Sequence, residues 1–456
     1  MSIDLIVKNG HLVFPHEGIR KGDIGINNGK IEMIGKNLDL VKAKEVLDVK
    51  QNFIFPGVID PHVHFGQFTQ LDEDFIKETR SAATGGVSTV LVFYRSLESY
   101  DKIFDEIKKC GEERSCIDFS IHLGISTEEQ ILSIPKYIKD FGVTSFKFLM
   151  SYKGDEARKQ GVAEMTDGVL YDSLSILKQH KGALACVHCE NIELIRPITA
   201  KLKATGRTDP AAWAESRPDF TESEYVRRVL FLAELTGAPV YIVHLSSKKA
   251  LEEVQISRQR FSKVFVETCP AYLAFTKESM KDTLLKMAPP VRAQEDIEAL
   301  WDGIKNGDIQ TIGSDHIARK KLEKYIDNIW DAPLGISGTA LILPFLLSEG
   351  YHKRGISLER IAEITSYNVS KIFNLYPLKG NLGIGADADL VVVDLEKEQI
   401  VTNNILNSSC DYSIFENWSM KGWPVLTMLR GEVVMRDGEI IGRQGVGRFI
   451  RRDSIT

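Results

Sequence analysis

The stretch Gly57-Val-Ile-Asp-Pro-His62-Val-His64-Phe-Gly66 places two histidines one residue apart directly after an apolar run. In an extended strand, side chains at i and i+2 leave the same face, so His62 and His64 project side by side with Val63 turned away. Two imidazoles so placed can hold one cation, or can be two ordinary polar residues at a strand end. Four further residues share the pattern of a short apolar run that ends on a polar group: Lys147 in Ser145-Phe-Lys-Phe-Leu149, His188 after Ala183-Leu-Ala-Cys-Val187, His244 after Val240-Tyr-Ile-Val243, and Asp315 after Thr311-Ile-Gly-Ser314. Lys147 differs in kind. Its neighbours are largely apolar, and burial disfavours the charged ammonium. A neutral lysine amine can add carbon dioxide to give a carbamate, an anionic oxygen ligand able to bridge two metals.

The elements that would carry these residues repeat. Between about 53 and 380, short apolar strands (88–93, 119–122, 145–149, 183–188, 240–244, 264–267, 311–315, and the run Phe53-Ile-Phe55…Val58-Ile59 before His62) alternate with helical patterns at 98–110, 127–140, 172–181, 223–236 and 247–257. Repeated strand-then-helix units imply a parallel sheet, and eight of them imply an α/β fold closed as a (β/α)8 TIM-like barrel, whose catalytic groups sit at the C-terminal strand ends. No G-x-G-x-x-G follows a strand, which argues against an open doubly wound sheet. Residues 1–52 alternate apolar and polar in short pieces separated by Asn9-Gly10 and Asn28-Gly29, both hairpin signals. The same texture returns at 383–445 with Asp389–Asp394, Val425–Leu429, Glu432–Met435 and the turn Asp437-Gly438. Neither end has enough strands to bury a face alone, so the two are expected to form one small β-sandwich domain. The expected division is 1–55 and 381–456 for that domain and 56–380 for the barrel.

The 456 residues are 43% hydrophobic and 26% charged, the balance of a globular protein, and a net charge of −6 gives no electrostatic case for nucleic acid. The basic run Arg448-Phe-Ile-Arg451-Arg452 reads as a solvated tail. Six cysteines, at 110, 116, 186, 189, 269 and 410, are too thinly spread for a disulfide scaffold and fit a reducing compartment. Cys186-Val-His-Cys189 has no second pair to complete a zinc ribbon and reads as structural. Neither a signal peptide nor a membrane-length apolar stretch is visible, so a cytoplasmic protein without membrane partners is expected.

The ordered set His-x-His, Lys, His, His, Asp on successive strands resembles the cyclic amidohydrolase branch of the amidohydrolase superfamily, with hydantoinase, dihydropyrimidinase and allantoinase-like members. The resemblance runs nearly the length of the chain, through Phe55-Pro-Gly-Val-Ile-Asp-Pro-His-Val-His64, Arg80–Gly86, Phe146–Tyr152, Val187–Asn191, Tyr241–Ser247, Glu267–Pro270, Ala288–Arg292, Ser314–His316 and Gly385–Val391. It implies that His62, His64, a carboxylated Lys147 and Asp315 hold one divalent ion, and that the same carbamate with His188 and His244 holds a second. Zinc suits such a nitrogen and oxygen donor set best, with manganese, cobalt or iron as alternatives. The implied reaction is attack of a metal-bridging hydroxide on a ring carbonyl of a cyclic amide or ureide. Asp315 would be general base and then acid, the Tyr152 hydroxyl would face the oxyanion, and Ala288 and Leu334 would contact substrate. A homodimer or homotetramer is implied as well.

Two departures bear on the substrate. Dihydroorotases follow the histidine pair with an arginine, and here the continuation is Phe65-Gly66-Gln67. Hydantoinases and dihydropyrimidinases carry an asparagine where Leu334 stands, which brings allantoinase in as the alternative. Phe65 and Phe68 are each either pocket wall or core. Two rival readings, a non-catalytic dihydropyrimidinase-related protein and a mononuclear deaminase, are opposed by the filled ligand set and by Lys147 respectively.

Overall fold

The computed structural model describes residues 3–154, 157 and 161–453. The chain opens in a sheet that it later rejoins. Strand β1 (Ile3–Phe14) pairs antiparallel with β2 (Gly18–Asn27), which pairs with β3 (Lys30–Gly35); β4 (Ala43–Asp48) and β5 (Phe53–Pro56) lie parallel to β1. Asn28 and Gly29 turn between β2 and β3 with φ of 50° and 74°, the left-handed pair that a two-residue hairpin needs. Asn9-Gly10 behaves otherwise. The expected turn there is a bulge inside an unbroken β1, where the pairing to β2 slips between Val7 and Gly10. Asn9 takes φ of 61°, and its N–H donates to the Asp23 carboxylate at 2.9 Å.

The run 53–59, expected as one interrupted strand, is two strands in two sheets. β5 stays in the terminal sheet, and after Gly57 the chain enters the barrel as β6 (Val58–His64). The crossing is tight, since a Cβ on Gly57 would collide with the Ser88 side chain. The barrel continues with β7 (Val87–Tyr94), β8 (Asp118–Gly124), β9 (Ser145–Leu149), β10 (Leu184–His188), β11 (Val240–Ile242), β12 (Val264–Thr268), β13 (Thr311–Ile312) and β14 (His316–Ile317), each parallel to its neighbour. β13 and β14 are two halves of one eighth strand. The first pairs with β12, the second with β6, and the three residues between them close the ring.

The helices follow the strands because their apolar residues recur at helical spacing. Helix Gln294–Asn306 buries Ile297, Leu300, Trp301 and Ile304 at i, i+3, i+4 and i+7 against the barrel. No helix among the described residues is long and apolar enough to cross a membrane.

The chain then returns to the first sheet through β15 (Leu390–Ile400), which pairs antiparallel with β5, followed by β16 (Ser419–Leu429), β17 (Glu432–Arg436) and β18 (Glu439–Ile440). Residues from both ends, Leu5, Val7, Ile24, Ile54, Leu390, Val392 and Met428 among them, fill one apolar cluster. The two sheets are joined by buried charge. Lys379 Nζ lies 2.5 Å from Asp118 at the start of β8, and 2.9 and 2.7 Å from Asp387 and Asp389 before β15.

The basic run near the C-terminus is not a solvated tail. Residues 448–452 run alongside β8, with Phe119 N–H donating to Arg448 O at 3.0 Å and Ile450 N–H to Phe119 O at 2.7 Å. Arg452 is fully buried and donates to Ser145 Oγ at 2.6 Å. Unpaired backbone on β8 and inward hydroxyls outweigh the charge of the run.

Candidate metal centre

β6 supplies three polar groups of one parity: Asp60, His62 and His64. Asp60 ties the first strand to the eighth, its carboxylate accepting from Ser314 N–H at 3.1 Å and Ser314 Oγ–H at 2.5 Å. Those bonds hold the turn on which Asp315 sits. Asp315 has φ of 50°, and His244, just past β11, has φ of 40°. Left-handed backbone at a residue with a Cβ is strained, and it persists where surrounding bonds over-determine it. At His244 those bonds come from Glu267 on β12, whose Oε1 accepts the His244 N–H at 3.0 Å.

The same Glu267 oxygen lies 2.6 Å from His62 Nδ1, with both side chains fully buried. Burial pushes Glu267 up to about 8 and holds His62 well below its ordinary value. Glu267 thus occupies the Nδ1 edge of the ring, and His62 Nε2 faces the other way. There it meets Asp315 Oδ1 at 3.2 Å, and His64 Nε2 approaches the same oxygen at 3.1 Å. His62 Nε2 is buried and makes no hydrogen bond. A buried imidazole nitrogen set against a carboxylate oxygen without a hydrogen bond is an arrangement that a cation completes. Among the described residues, the ligand atoms of His62, His64 and Asp315 all fall within 4.8 Å of one another. Asp315 is held down at about 2; burial works against this and is outweighed by His62 and His64.

His188, the last residue of β10, presents Nδ1 to His244 Nε2 at 3.0 Å, while its own Nε2 is fixed by Glu190 Oε2 at 2.8 Å. The rings of His62 and His244 are 5.5 Å apart, so the two groups of histidines adjoin. Lys147 is 4% exposed, and its Nζ stands 4.5 Å from the centre of the Phe93 ring. Burial lowers its pKa, and burial likewise, with Lys147 among the lesser causes, lowers His62 and His244. This donor set of imidazoles, a carboxylate and a desolvated amine fits hard or borderline divalent ions. The other acidic cluster, Asp118, Asp387 and Asp389, already surrounds the Lys379 ammonium.

One cavity gathers His64, Lys147, His188, His244 and Asp315 with Tyr152, Ala288 and Leu334. Each candidate named from the sequence therefore lines this cavity or, for His62, lies directly beneath it. Tyr152 packs 6.0 Å from His188, ring to ring, and burial raises its hydroxyl to about 12. The two open phenylalanines divide: Phe65 is buried against Phe75 and His316, and Phe68 lines the cavity. Glu267, Glu190, Asp60, Gln67 and Arg95 were missed from the sequence. A signal existed for two of them, since Asp60 shares the parity of His62 and His64, and Glu267 lies in an apolar strand of the repeating set. Gln67 and Arg95 sit on loops, where spacing says nothing about direction.

The comparisons agree with this geometry. The model of the Amidohydrolase family matches residues 53–434. The chain is 35% identical to the D-hydantoinase of Geobacillus stearothermophilus, over 98% of its own length and 96% of that protein. It is 32% identical to the L-hydantoinase of Paenarthrobacter aurescens, over 98% of both. The solved dihydropyrimidinase of Brevibacillus agri superposes with a TM-score of 0.92 at 29% identity, covering 99% of both chains. With a match over most of its length and the metal-fitting cluster at the C-terminal ends of its barrel strands, the chain belongs to the amidohydrolase family, in its hydantoinase-like branch.

Proposed function

We propose that the protein is a metal-dependent hydrolase that opens a C–N bond of a cyclic amide or ureide, as its hydantoinase relatives are named for. The observation that carries the reading is the buried His62 Nε2, without a hydrogen bond and 3.2 Å from Asp315 Oδ1, beside His64, Lys147, His188 and His244. His62, His64 and Asp315 would hold one divalent ion and His188 and His244 a second, with Lys147, as its carbamate, reaching both. Bound there, such ions supply an acidified water and polarise the ring carbonyl.

The chain's own groups supply the rest. Asp315 accepts the proton of the attacking water and delivers it to the ring nitrogen as the C–N bond breaks. Tyr152, held protonated by burial, donates its hydroxyl hydrogen to the carbonyl oxygen as charge develops on it. Glu267 and Glu190 act through His62 and His188, fixing which ring nitrogen points at the ions. Relatives of both D and L specificity match comparably, so the proposal covers ring opening without a preferred hand.

The test is a panel of hydantoin, dihydrouracil, allantoin and dihydroorotate with protein reconstituted in zinc and bicarbonate. Ring opening of at least one of them, abolished by chelation, is the expected result. Two bound ions per chain with no ring opened would overturn the reading.

A further inference from the structure

The C-terminal run ends in a buried cation that the ring-opening chemistry does not use. Arg452 is fully buried, and its backbone N–H donates to Gly142 O at 2.8 Å. Neutral oxygens meet its guanidinium: Ser145 Oγ at 2.6 Å and Ile121 O. Burying a charge on neutral partners costs stability, a cost that an apolar side chain of similar length would not carry. What the guanidinium supplies in return is direction. Ser145 Oγ also bonds His122 Nδ1, and His122 Nε2 lies 3.1 Å from Pro61 O. A carbonyl only accepts, so the His122 hydrogen is on Nε2. Burial, with Arg452 as the next cause, holds His122 well below its ordinary value, which leaves Nδ1 bare. Ser145 therefore donates its single hydrogen to Nδ1 and accepts from Arg452 with a lone pair.

This relay ends against the metal-fitting cluster. Pro61 precedes His62 on β6, where the pairing of β6 with β7 slips between Asp60 and Val63. Ser145 shares its face of β9 with Lys147. The Phe93 ring stacks on His122 at 4.1 Å, touches His62 at 4.3 Å and lies 4.5 Å from Lys147 Nζ. A close-packed interior passes the displacement of one such ring on to its neighbours.

We propose that Arg452 is a positioning residue for the metal centre. Through Ser145 it fixes the His122 tautomer, and His122 sets Pro61 and Phe93, which support His62 and Lys147. The inference deepens the metal-dependent reading and rests on it for what the cluster binds.

Two measurements test it. Nitrogen NMR of histidine-labelled, metal-free protein reads the tautomer of His122, whose signal is assigned by its loss in His122→Gln. The unaltered protein should show the Nε2–H form. Arg452→Met should show a mixture, because the Ser145 hydroxyl is then able to accept from Nδ1–H. Zinc affinity, read by competition with a chelator, should fall about tenfold in Arg452→Met, the low end for groups that orient metal-binding histidines. Arg452→Lys keeps a donor for Ser145 and should keep most of the affinity. Ser145→Ala cuts the same relay with the guanidinium in place and should lose zinc affinity likewise, so the test survives an Arg452→Met protein that fails to fold. Nδ1–H as the main form in the unaltered protein overturns the proposal. So does an unchanged zinc affinity in folded Arg452→Met or Ser145→Ala. If the tautomer and affinity shift as stated but no ring is opened, ring opening fails and the positioning role stands.

Discussion

His62 has two partners on opposite edges of its ring, Glu267 at Nδ1 and Asp315 at Nε2. Altering each partner has a different consequence. Glu267→Gln keeps the shape but replaces the carboxyl group that faces His62 Nδ1 with an amide, loosening the tautomer. Metal affinity is expected to fall about 10–100-fold, as for other partners that orient metal-binding histidines, read by competition with a zinc chelator. Unchanged affinity would remove Glu267 from the positioning role. Asp315→Asn keeps a similar side chain but cannot accept the proton. Turnover on the best ring substrate is expected to drop about 10²–10⁴-fold, with an unchanged circular-dichroism melt showing that the fold survives; unaltered turnover would end its acid–base assignment. At this scale the sequence was most informative. Side-chain parity put His62 beside His64, and strand ends named Lys147, His188, His244 and Asp315. What it could not give was direction off regular elements. Gln67 and Arg95 lie on loops, and the left-handed backbone at His244 and Asp315 has no marker in residues that are not glycine.

At the scale of elements, the barrel was legible because eight short apolar runs alternate with helical periods. The errors fell where one local signal serves two structures. Asn9-Gly10 has the dihedral preference of a hairpin turn and also that of a bulge, and long-range pairing of β1 with β2 and β5 chose the bulge. Phe53 to Ile59 reads as a single apolar run, yet Pro56-Gly57 passes it from one sheet to the other. That crossing depends on a residue without a Cβ, because Gly57 packs against Ser88 and Asp389. Gly57→Ala is expected to cost about 1–3 kcal/mol by overpacking, lowering the thermal midpoint. A melt indistinguishable from that of the unaltered protein would show that the junction is looser than described.

Across the whole molecule, the two sheets meet at Lys379, buried among Asp118, Asp387 and Asp389, with Arg430 also bonded to Asp118 and Lys30 2.6 Å from Asp387. Nothing in the sequence marks these charges as partners, since Asp118 and Lys379 are 261 positions apart. Removing one member of a buried set leaves uncompensated charge, so Lys379→Met is expected to destabilise by about 3–5 kcal/mol. The three carboxylates raise Lys379 above its ordinary 10.5, although burial alone would lower it. A raised folded-state pKa gives stability that is full below 10.5 and is lost as pH climbs beyond it. The stability gap between the unaltered protein and Lys379→Met should therefore hold steady through neutral pH and shrink on the alkaline side; a gap that widened there would contradict the sign.

The proposed activity depends on Lys147 helping to bring two ions to the cluster at the barrel mouth. The direct measurement is zinc content per chain by mass spectrometry after reconstitution with zinc and bicarbonate, for the unaltered protein and for Lys147→Ala. Two ions are expected in the first and a clear loss in the second, restored in part by a short carboxylic acid that fills the place of the carbamate. No bound zinc in the unaltered protein, or two ions retained by Lys147→Ala without added acid, would contradict it.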